Sequence, residues 1–150
     1  MVCLYLSTER WSPLSALIRF NTRCEYSHVG FKDGDWYFSA QLNGGVRYRS
    51  RFCVGPAKEK MTSELLLTAP GIEEAYQWAK TQASKPYDWG AILGLATDRN
   101  WRNDDRWFCS ELIAKSFEQV GHPLLNPAIV SWRITPRDIL LSEHVTRVNP

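Results

Sequence analysis

The sequence predicts one α+β domain in which an antiparallel β-sheet packs against helices. Two local patterns predict this class: β-rich runs separated by tight turn signals, and capped runs with apolar residues at helical spacing. The 150 residues contain no internal repeat, low-complexity tract or evident linker, and 44% of them are hydrophobic. A single domain spanning residues 1–150 is therefore expected.

The first part of the chain combines strand-like runs with one capped helix. VCLYL is typical of a short strand. In SPLSALIRFNT, Ser12 is expected to cap a helix with Pro13 in its first turn. The buried stripe of that helix is predicted to contain Leu14, Leu17 and Ile18. YSHVGFKDGDWYFSAQL predicts two strands joined by a hairpin, because Asp-Gly between β-rich runs favours a tight turn.

Three arginines alternate along the next predicted strand, in NGGVRYRSRF. Arg47, Arg49 and Arg51 are expected to share one face, because successive strand side chains point to opposite faces. Such a face is most often solvated, and an anionic ligand site is the less common interpretation.

The second part of the chain predicts a strand, several helices and a closing strand. SELLLTAP is a strand ending at Pro70, and a helix follows from Gly71. Its apolar positions at helical spacing are Ile72, Ala75, Tyr76, Ala79 and Ala83. SKPYDWGAILGLATD breaks at Pro86 and restarts as a short apolar helix, before the polar loop RNWRNDD. TPRDIL predicts a helix capped by Thr135 with Pro136 at its first position, and HVTRV a last strand.

Charge and hydropathy argue against nucleic acid, export and membrane insertion. A net charge of +2 is too small to indicate a nucleic-acid partner, and the sequence contains no RNA-binding signature. MVCLYLSTERWSPLSALIRF lacks the charged, long apolar and small-residue regions of a signal peptide. Because the apolar runs are too short to span a bilayer, we expect no transmembrane segment and a cytoplasmic location.

The four cysteines are Cys3, Cys24, Cys53 and Cys109, and they form no CxxC pair. Without an export signal, reduced thiols are expected rather than disulfides. The three histidines share no ligand-like spacing with the cysteines. We therefore expect neither a metal site nor a bound cofactor.

Cys109 stands at the start of an amphipathic helix in DDRWFCSELIAKSFEQVG. The buried stripe of this helix is predicted to contain Leu112, Ile113, Phe117 and Val120. Cys109 belongs to the same face, and cysteine packs well as a small hydrophobe, so one interpretation is a structural thiol. The other is a nucleophile, because the backbone N–H groups and dipole of a helix N-terminus favour a thiolate and stabilise an oxyanion.

A nucleophilic cysteine needs a base, and His28 in YSHVGF is the natural candidate, on a predicted strand before the hairpin. His122 follows the end of the cysteine helix, about 18 Å away at the standard helical rise, and is too remote. His144 lies in a charged terminal segment.

The residue that orients the histidine should come from the strand paired with the histidine strand. In WYFSAQL, Tyr37, Ser39 and Gln41 are expected to share one face. Ser39 and Gln41 can each accept a hydrogen bond from an imidazole N–H, and the choice stays open with a preference for Ser39. Because that strand has no acidic residue, we expect orientation by a neutral group.

Together, YSHVGF, FSAQLNGGV, SKPYDWGAILG and RWFCSELIAKSFEQVG resemble the circularly permuted branch of the NlpC-like, papain-fold cysteine hydrolases. The resemblance extends from Tyr26 to Gly121, and the combination is more specific than any single segment. His28 precedes Cys109, which is the order of the permuted branch. The chain also resembles small proteins of bacteriophage and prophage genomes, which would place it in the host cell of a phage.

The resemblance implies a permuted papain-like fold and a role for each matching residue. Cys109 would be the nucleophile, His28 the general base, and Tyr87 a supporting group near the oxyanion. Many permuted relatives have an acid, or a second histidine, where Ser39 falls in this sequence. Gln41, on the same predicted face, is the residue expected to compensate for that departure.

The resemblance implies a thiol hydrolase that cleaves an amide or peptide bond, with a peptide or acyl substrate in a groove at Cys109. Cell-wall peptides and protein conjugates are the substrate classes considered. Two alternatives stay open: a lipid thioesterase or acyltransferase of the lecithin retinol acyltransferase type, and a binding module with an idle site. For the lipid enzyme, the residues considered as lining an acyl groove are Trp11, Trp36, Trp89, Trp101, Trp107 and Trp132.

Overall fold

The structure is a computed structural model that describes residues 1–9, 12–50, 62–90, 105–126, 128–129 and 134–148. Its strands are β1 (Val2–Glu9), β2 (His28–Asp33), β3 (Trp36–Gln41), β4 (Gly45–Ser50), β5 (Thr62–Thr68) and β6 (Thr146–Arg147). Its helices are α1 (Pro13–Thr22), α2 (Ile72–Lys80), α3 (Cys109–Gln119) and α4 (Pro136–Leu140). The strands form one sheet in the order β4-β3-β2-β1-β5-β6, and every neighbouring pair is antiparallel. This architecture confirms the predicted α+β class.

Several predictions concern positions outside the described residues. They include the third arginine of the alternating set, one cysteine, and three of the tryptophans: Arg51, Cys53, Trp11, Trp101 and Trp132. The apolar helical segment predicted after Pro86 is described only as far as residue 90, and the polar loop only at residue 105.

One face of the sheet is apolar and forms the core together with the helices. Leu4 and Leu6 of β1 lie on this face with Phe31 and Phe38 of the hairpin, and all of these side chains are buried. The rings of Phe31 and Phe117 stack with their centroids 6.2 Å apart, which fixes α3 against β2. The opposite face therefore presents the alternate residues of the same strands.

The hairpin between β2 and β3 has the predicted position. Asp33 pairs with Trp36 across a two-residue turn, and Gly34 in that turn has a left-handed φ of +56°. The Asp-Gly signal in the sequence is explained by this conformation, because glycine adopts positive φ without a steric penalty.

Pairing between β2 and β3 stops early. The last pair is Phe31 with Phe38, although β2 extends back to His28 alongside β1. In the same way, β3 continues to Gln41 alongside β4. The two strands therefore part at the end of the sheet, and the gap between them receives the amino-terminal end of α3.

Helix α1 begins as the sequence predicts, but it buries a different face. Ser12 caps the helix by accepting the Ser15 backbone N–H at 3.3 Å. Ile18 is buried, whereas Leu17 is 42% exposed, so the predicted stripe is wrong at Leu17. The reason is that Ser15 turns inward, where its hydroxyl lies 2.6 Å from that of Ser27.

Helix α2 has its predicted core positions and ends one turn early. Ala75, Tyr76 and Ala79 are buried. The helix ends at Lys80, and Ala83 lies exposed in the following turn, so the prediction that Ala83 is buried is wrong.

The last two elements agree with their sequence signals. Thr135 and Asp138 form a reciprocal cap at the start of α4, with the Thr135 N–H donating to Asp138 Oδ2 at 2.8 Å. Pro136 is the first helical residue. Strand β6 pairs with β5 through Thr146 and Thr68, which confirms the predicted closing strand.

Gly30 lies where β2 and β3 part, and its surroundings leave no room for a larger side chain. A methyl carbon built on it would lie 2.6 Å from Tyr5 Cε1, 2.7 Å from Ser39 Cβ and 2.8 Å from the Phe38 carbonyl oxygen. Gly30→Ala should lower the free energy of unfolding by about 1–3 kcal/mol, the usual cost of overpacking a core. Urea titration of the wild type and the variant measures this difference.

The matched control for that prediction is Gly34→Asn in the hairpin turn. No atom lies within 4 Å of a carbon built on Gly34, and asparagine tolerates its left-handed conformation. Equal unfolding free energies for the two variants would show that the crowding at Gly30 is relieved at little cost.

Candidate active site

Cys109 is the first residue of α3, as predicted, and Phe108 precedes it as an extended cap residue with φ −88° and ψ 150°. Only 1% of the Cys109 surface is exposed. The backbone N–H groups of Val29, Cys109 and Ser110 donate hydrogen bonds to its sulfur. The thiol therefore lies against β2, beside the residue that follows His28.

The Val29 N–H reaches the sulfur because β2 has parted from β3. Backbone groups along an antiparallel strand point alternately to one neighbour and to the other. Asp33 closes the two-residue hairpin, so Asp33, Phe31 and Val29 all direct their N–H groups towards β3. Pairing ends at Phe31, and Cys109 Sγ takes the place of a β3 carbonyl for Val29.

His28 is held on the other side by two hydroxyl groups. Its Nε2 lies 3.0 Å from Ser39 Oγ and 3.1 Å from Tyr5 Oη. Tyr5 Oη in turn donates to Ser39 Oγ at 3.0 Å, so half-buried His28 and the buried side chains of Tyr5 and Ser39 form one cluster. The preference for Ser39 over Gln41 as the contact of His28 is confirmed by this geometry.

Gln41 has a different position from the one expected. Its side-chain nitrogen donates to Ser39 Oγ at 3.4 Å, and no hydrogen bond to His28 is found among the described residues. Of the two open alternatives, Ser39 is therefore the one that contacts the imidazole, and Gln41 reaches Ser39 instead. The physical reason is the divergence of β3 from β2 beyond Phe38, which separates the end of β3 from the histidine.

The contacts at Nε2 suit either tautomer of His28, because a hydroxyl group can donate as well as accept a hydrogen bond. Ser39 Oγ accepts from the Tyr5 hydroxyl at 3.0 Å and from the Gln41 side-chain nitrogen at 3.4 Å. In the Nε2–H form of the neutral imidazole, Nδ1 has the lone pair that a general base requires.

Tyr5 was not identified from the sequence. Strand alternation in VCLYL gives the face of Tyr5, but the contact with His28 depends on the register in which Tyr5 pairs with Gly30. Gly30 has no side chain, so the Tyr5 ring crosses the space above it. Burial raises the pKa of Tyr5, which keeps its hydroxyl a neutral donor.

Tyr87 is brought to the start of α3 by a short parallel bridge with Trp107. The Asp88 N–H donates to the Trp107 carbonyl at 3.0 Å. The buried Tyr87 ring lies 6.0 Å from the Phe108 ring, centroid to centroid. A charge on Cys109 contributes to raising the pKa of Tyr87, although burial is the larger cause. Tyr87 and Cys109 are therefore neighbours.

Burial dominates the protonation of the site. It raises the pKa of Cys109 to about 11, although the three backbone N–H groups oppose the change. Burial also lowers the pKa of His28 to about 4, and the charge of Arg49 adds to this effect. At neutral pH the Cys109 thiol and the His28 imidazole are therefore both neutral. The sequence-based expectation that the helix N-terminus lowers the pKa of Cys109 is wrong, because desolvation is the larger effect.

The other histidines lie elsewhere. His122 packs against Gly71 at the start of α2, where a carbon built on Gly71 would lie 2.3 Å from its ring. His144 Nε2 lies 3.8 Å from a Glu143 oxygen near the carboxyl end of the chain. Of the three histidines, His28 is the one whose neighbouring residue contacts the Cys109 sulfur.

The described residues were also compared with the requirements of a metal site and of a membrane-spanning helix. No group of three or more His, Cys, Asp or Glu side chains among them is arranged to hold a metal ion. None of the helices that the structure describes combines the length and apolar character needed to cross a membrane.

Comparisons with known proteins support the fold. No protein-family model matches the chain, and no curated protein matches it. Among solved structures, the chain is similar to metalloprotein yiiX from Escherichia coli O157:H7, DUF1105, with a TM-score of 0.73 and 19% identity. The alignment covers 99% of this chain and 96% of that chain. At this identity the likeness concerns the fold alone.

The burial of Cys109 is expected to slow its alkylation at neutral pH, because it raises the pKa of the thiol. Half-buried Cys24 should react faster than Cys109 near neutral pH. The Cys109 rate should rise about tenfold per pH unit up to a pKa of about 11, because only the thiolate reacts. Peptide mass spectrometry after timed iodoacetamide treatment gives the rate of each thiol. A plateau for Cys109 at neutral pH would contradict the neutral resting pair.

Proposed function

We propose that this protein is a cysteine hydrolase that cleaves an amide or peptide bond, with Cys109 as nucleophile and His28 as general base. The observation that supports this proposal best is that two consecutive residues of β2 connect the Cys109 sulfur and the His28 side chain. The Val29 N–H binds the Cys109 sulfur, while the preceding residue, His28, is fixed through Nε2 by Ser39 and Tyr5. A nucleophile, a base and an orienting group are thus assembled from three separate elements.

The proposed reaction begins with a neutral pair. His28 Nδ1 accepts the proton of the Cys109 thiol as the sulfur attacks the substrate carbonyl carbon. The tetrahedral oxyanion is stabilised by backbone N–H groups at the start of α3, those of Cys109 and Ser110. The proton on His28 Nδ1 then passes to the leaving amine, and a thioester remains on Cys109.

Deacylation uses the same groups. His28 Nδ1 removes a proton from a water molecule, whose oxygen attacks the thioester carbonyl. The carbon–sulfur bond breaks, the carboxylic acid leaves, and the proton on His28 returns to the sulfur. Ser39 and Tyr5 hold the Nε2 side of the imidazole throughout and contribute no charge of their own.

We also propose that the α+β domain has a permuted papain-like fold. A cysteine at the start of a helix and a preceding histidine strand within one antiparallel sheet support a permuted papain-like, NlpC-like fold. Cell-wall peptides and protein conjugates are the substrate classes that this resemblance favours. Tyr87, which lies beside the start of α3, is proposed to support the oxyanion.

The word metalloprotein in the name of the structural neighbour raises the question of a metal at this site. The described residues do not fit one, because His28 and Cys109 have no third His, Cys, Asp or Glu donor grouped with them. No step of the proposed reaction is therefore assigned to a metal ion.

Acyl-enzyme formation tests the proposal directly. The wild type and Cys109→Ala are incubated with a panel of amide and ester electrophiles, and intact and peptide masses locate any acyl group. An adduct on Cys109 in the wild type is the expected result, with Cys24→Ala as the control that keeps it. Adducts with esters alone would indicate the lipid thioesterase or acyltransferase instead. The absence of any Cys109 adduct would contradict hydrolysis and indicate a binding module.

The acid side of the pH profile reports the His28 environment. The base is active while neutral, and its pKa is lowered to about 4, so kcat/KM should hold through neutral pH and fall only near that value. Ser39→Asp should move this fall to higher pH, because a carboxylate beside Nε2 favours the imidazolium. A wild-type fall centred near the ordinary histidine pKa would contradict the assigned environment.

Removal of the orienting hydroxyls should cost less than removal of Cys109 or His28. Ser39→Ala should lower kcat/KM about tenfold, close to the energy of one buried hydrogen bond, and Tyr5→Phe by a similar or smaller factor. Gln41→Ala is the matched control and should change kcat/KM by less than about twofold, because among the described residues its side chain donates to Ser39 and not to His28. A larger loss in Gln41→Ala than in Ser39→Ala would reverse the assignment.

A further inference from the structure

Arg49 lies on the same face of the sheet as the His28 cluster. It belongs to β4 and pairs with Tyr37 of β3, two residues before Ser39 on that strand. Side chains two residues apart on a strand share a face, so Arg49, Tyr37 and Ser39 lie together. Arg49 is half-buried at this position.

The charge of Arg49 acts on the His28 imidazole. It contributes to the lowered pKa of His28, which places the guanidinium within electrostatic reach of the imidazole. The groups that contact His28 are the hydroxyls of Tyr5 and Ser39, and neither is charged. No carboxylate of a described residue forms an ion pair with Arg49, whereas Lys32 on the same face pairs with Glu64 at 3.1 Å.

Arg47 provides the comparison within the same strand. It pairs directly with Ser39, yet it is exposed. Its guanidinium folds back over the β3–β4 turn, where a carbon built on Gly44 would lie 2.7 Å from Arg47 Nη1. Of the two described arginines on this face, Arg49 is therefore the one that acts on the His28 cluster.

We propose that Arg49 binds an anionic group of the substrate, a carboxylate or a phosphate, beside His28. A half-buried guanidinium that pairs with no carboxylate of the described residues gains most from such a group, because charge-assisted hydrogen bonds to planar or tetrahedral oxyanions are strong. The inference rests on the proposed function and narrows it. The substrate class becomes an acyl compound that has a negative charge near the scissile carbonyl.

A pair of alkylating reagents of the same shape tests this inference at Cys109. Iodoacetate has a carboxylate where iodoacetamide has a neutral amide, and both react with the same thiolate. The ratio of their Cys109 rates therefore cancels any change in the pKa of the thiol. The wild type should prefer iodoacetate, and Arg49→Gln should lower the rate ratio about tenfold, as expected for one charge-assisted contact.

Two further variants separate charge from structure. Arg47→Gln should keep the wild-type ratio, because that guanidinium lies over the turn. Arg49→Lys should keep part of the preference, since it retains the positive charge without the planar guanidinium. A ratio that falls equally in Arg49→Gln and Arg49→Lys would show a structural effect and overturn the inference.

Protection experiments identify the preferred anion. Acetate and inorganic phosphate are each titrated against iodoacetamide labelling of Cys109 in the wild type and in Arg49→Gln. Stronger protection by acetate assigns a carboxylate, stronger protection by phosphate assigns a phosphate, and either must weaken in Arg49→Gln.

The remaining outcomes distinguish the inference from the proposed function. Equal rate ratios in the wild type and in Arg49→Gln would overturn the role of Arg49 while Cys109 labelling still supported the hydrolase. If neither reagent labelled Cys109 in the folded protein up to pH values near its pKa, both proposals would fail.

Discussion

The parting of β2 from β3 after Phe31 is the constraint on which the site depends. It releases the Val29 N–H from the sheet, and the Cys109 sulfur accepts that hydrogen bond. A buried N–H without a partner costs free energy comparable to a lost hydrogen bond, so the strand end and the helix start stabilise one another. The residue before Val29 is His28, whose backbone is still held by β1 through its pairing with Ser7.

Desolvation explains why the helix N-terminus does not produce a thiolate here. A helix N-terminus stabilises an anion by a modest amount, whereas removal of a thiolate from water is far more costly. Cys109 has 1% of its surface exposed and no charged partner among the groups that shift its pKa. In the proposed reaction, the backbone N–H groups are therefore better suited to a transient oxyanion than to a resting thiolate.

Most of the fold could be predicted from local signals, because caps and tight turns depend on short-range chemistry. Ser12, Thr135 and the turn at Gly34 lie where their residue types require. The predictions that Leu17 and Ala83 are buried were wrong, because tertiary contacts decide which face of a helix is buried and where the helix ends.

The same distinction between local signals and tertiary contacts applies to the residues of the site. The pairing of Cys109 with the His28 strand and the preference for Ser39 follow from motif order and strand alternation. The contact between Tyr5 and His28 could not be predicted in this way. It depends on the register of two strands that are distant in sequence and on the glycine opposite the Tyr5 ring. The high pKa of Cys109 also required knowledge of its burial, which motif position does not give.

The neutral states of Cys109 and His28 and the charge of Arg49 have a joint consequence for the proposed reaction. Among the described residues, the neutral hydroxyls of Tyr5 and Ser39 contact His28 Nε2, and the charge of Arg49 contributes to lowering the pKa of His28. An anion bound to Arg49 would cancel the repulsion that lowers the pKa of His28, so the imidazole would become a stronger base when substrate is present. The anion would also displace water from the half-buried face, which strengthens the remaining electrostatic interactions. Substrate charge would then determine both binding and the basicity of His28. The neutral Ser39–Tyr5 pair suits such a site, because a permanent carboxylate beside Nε2 would raise the basicity of His28 whether or not substrate were bound.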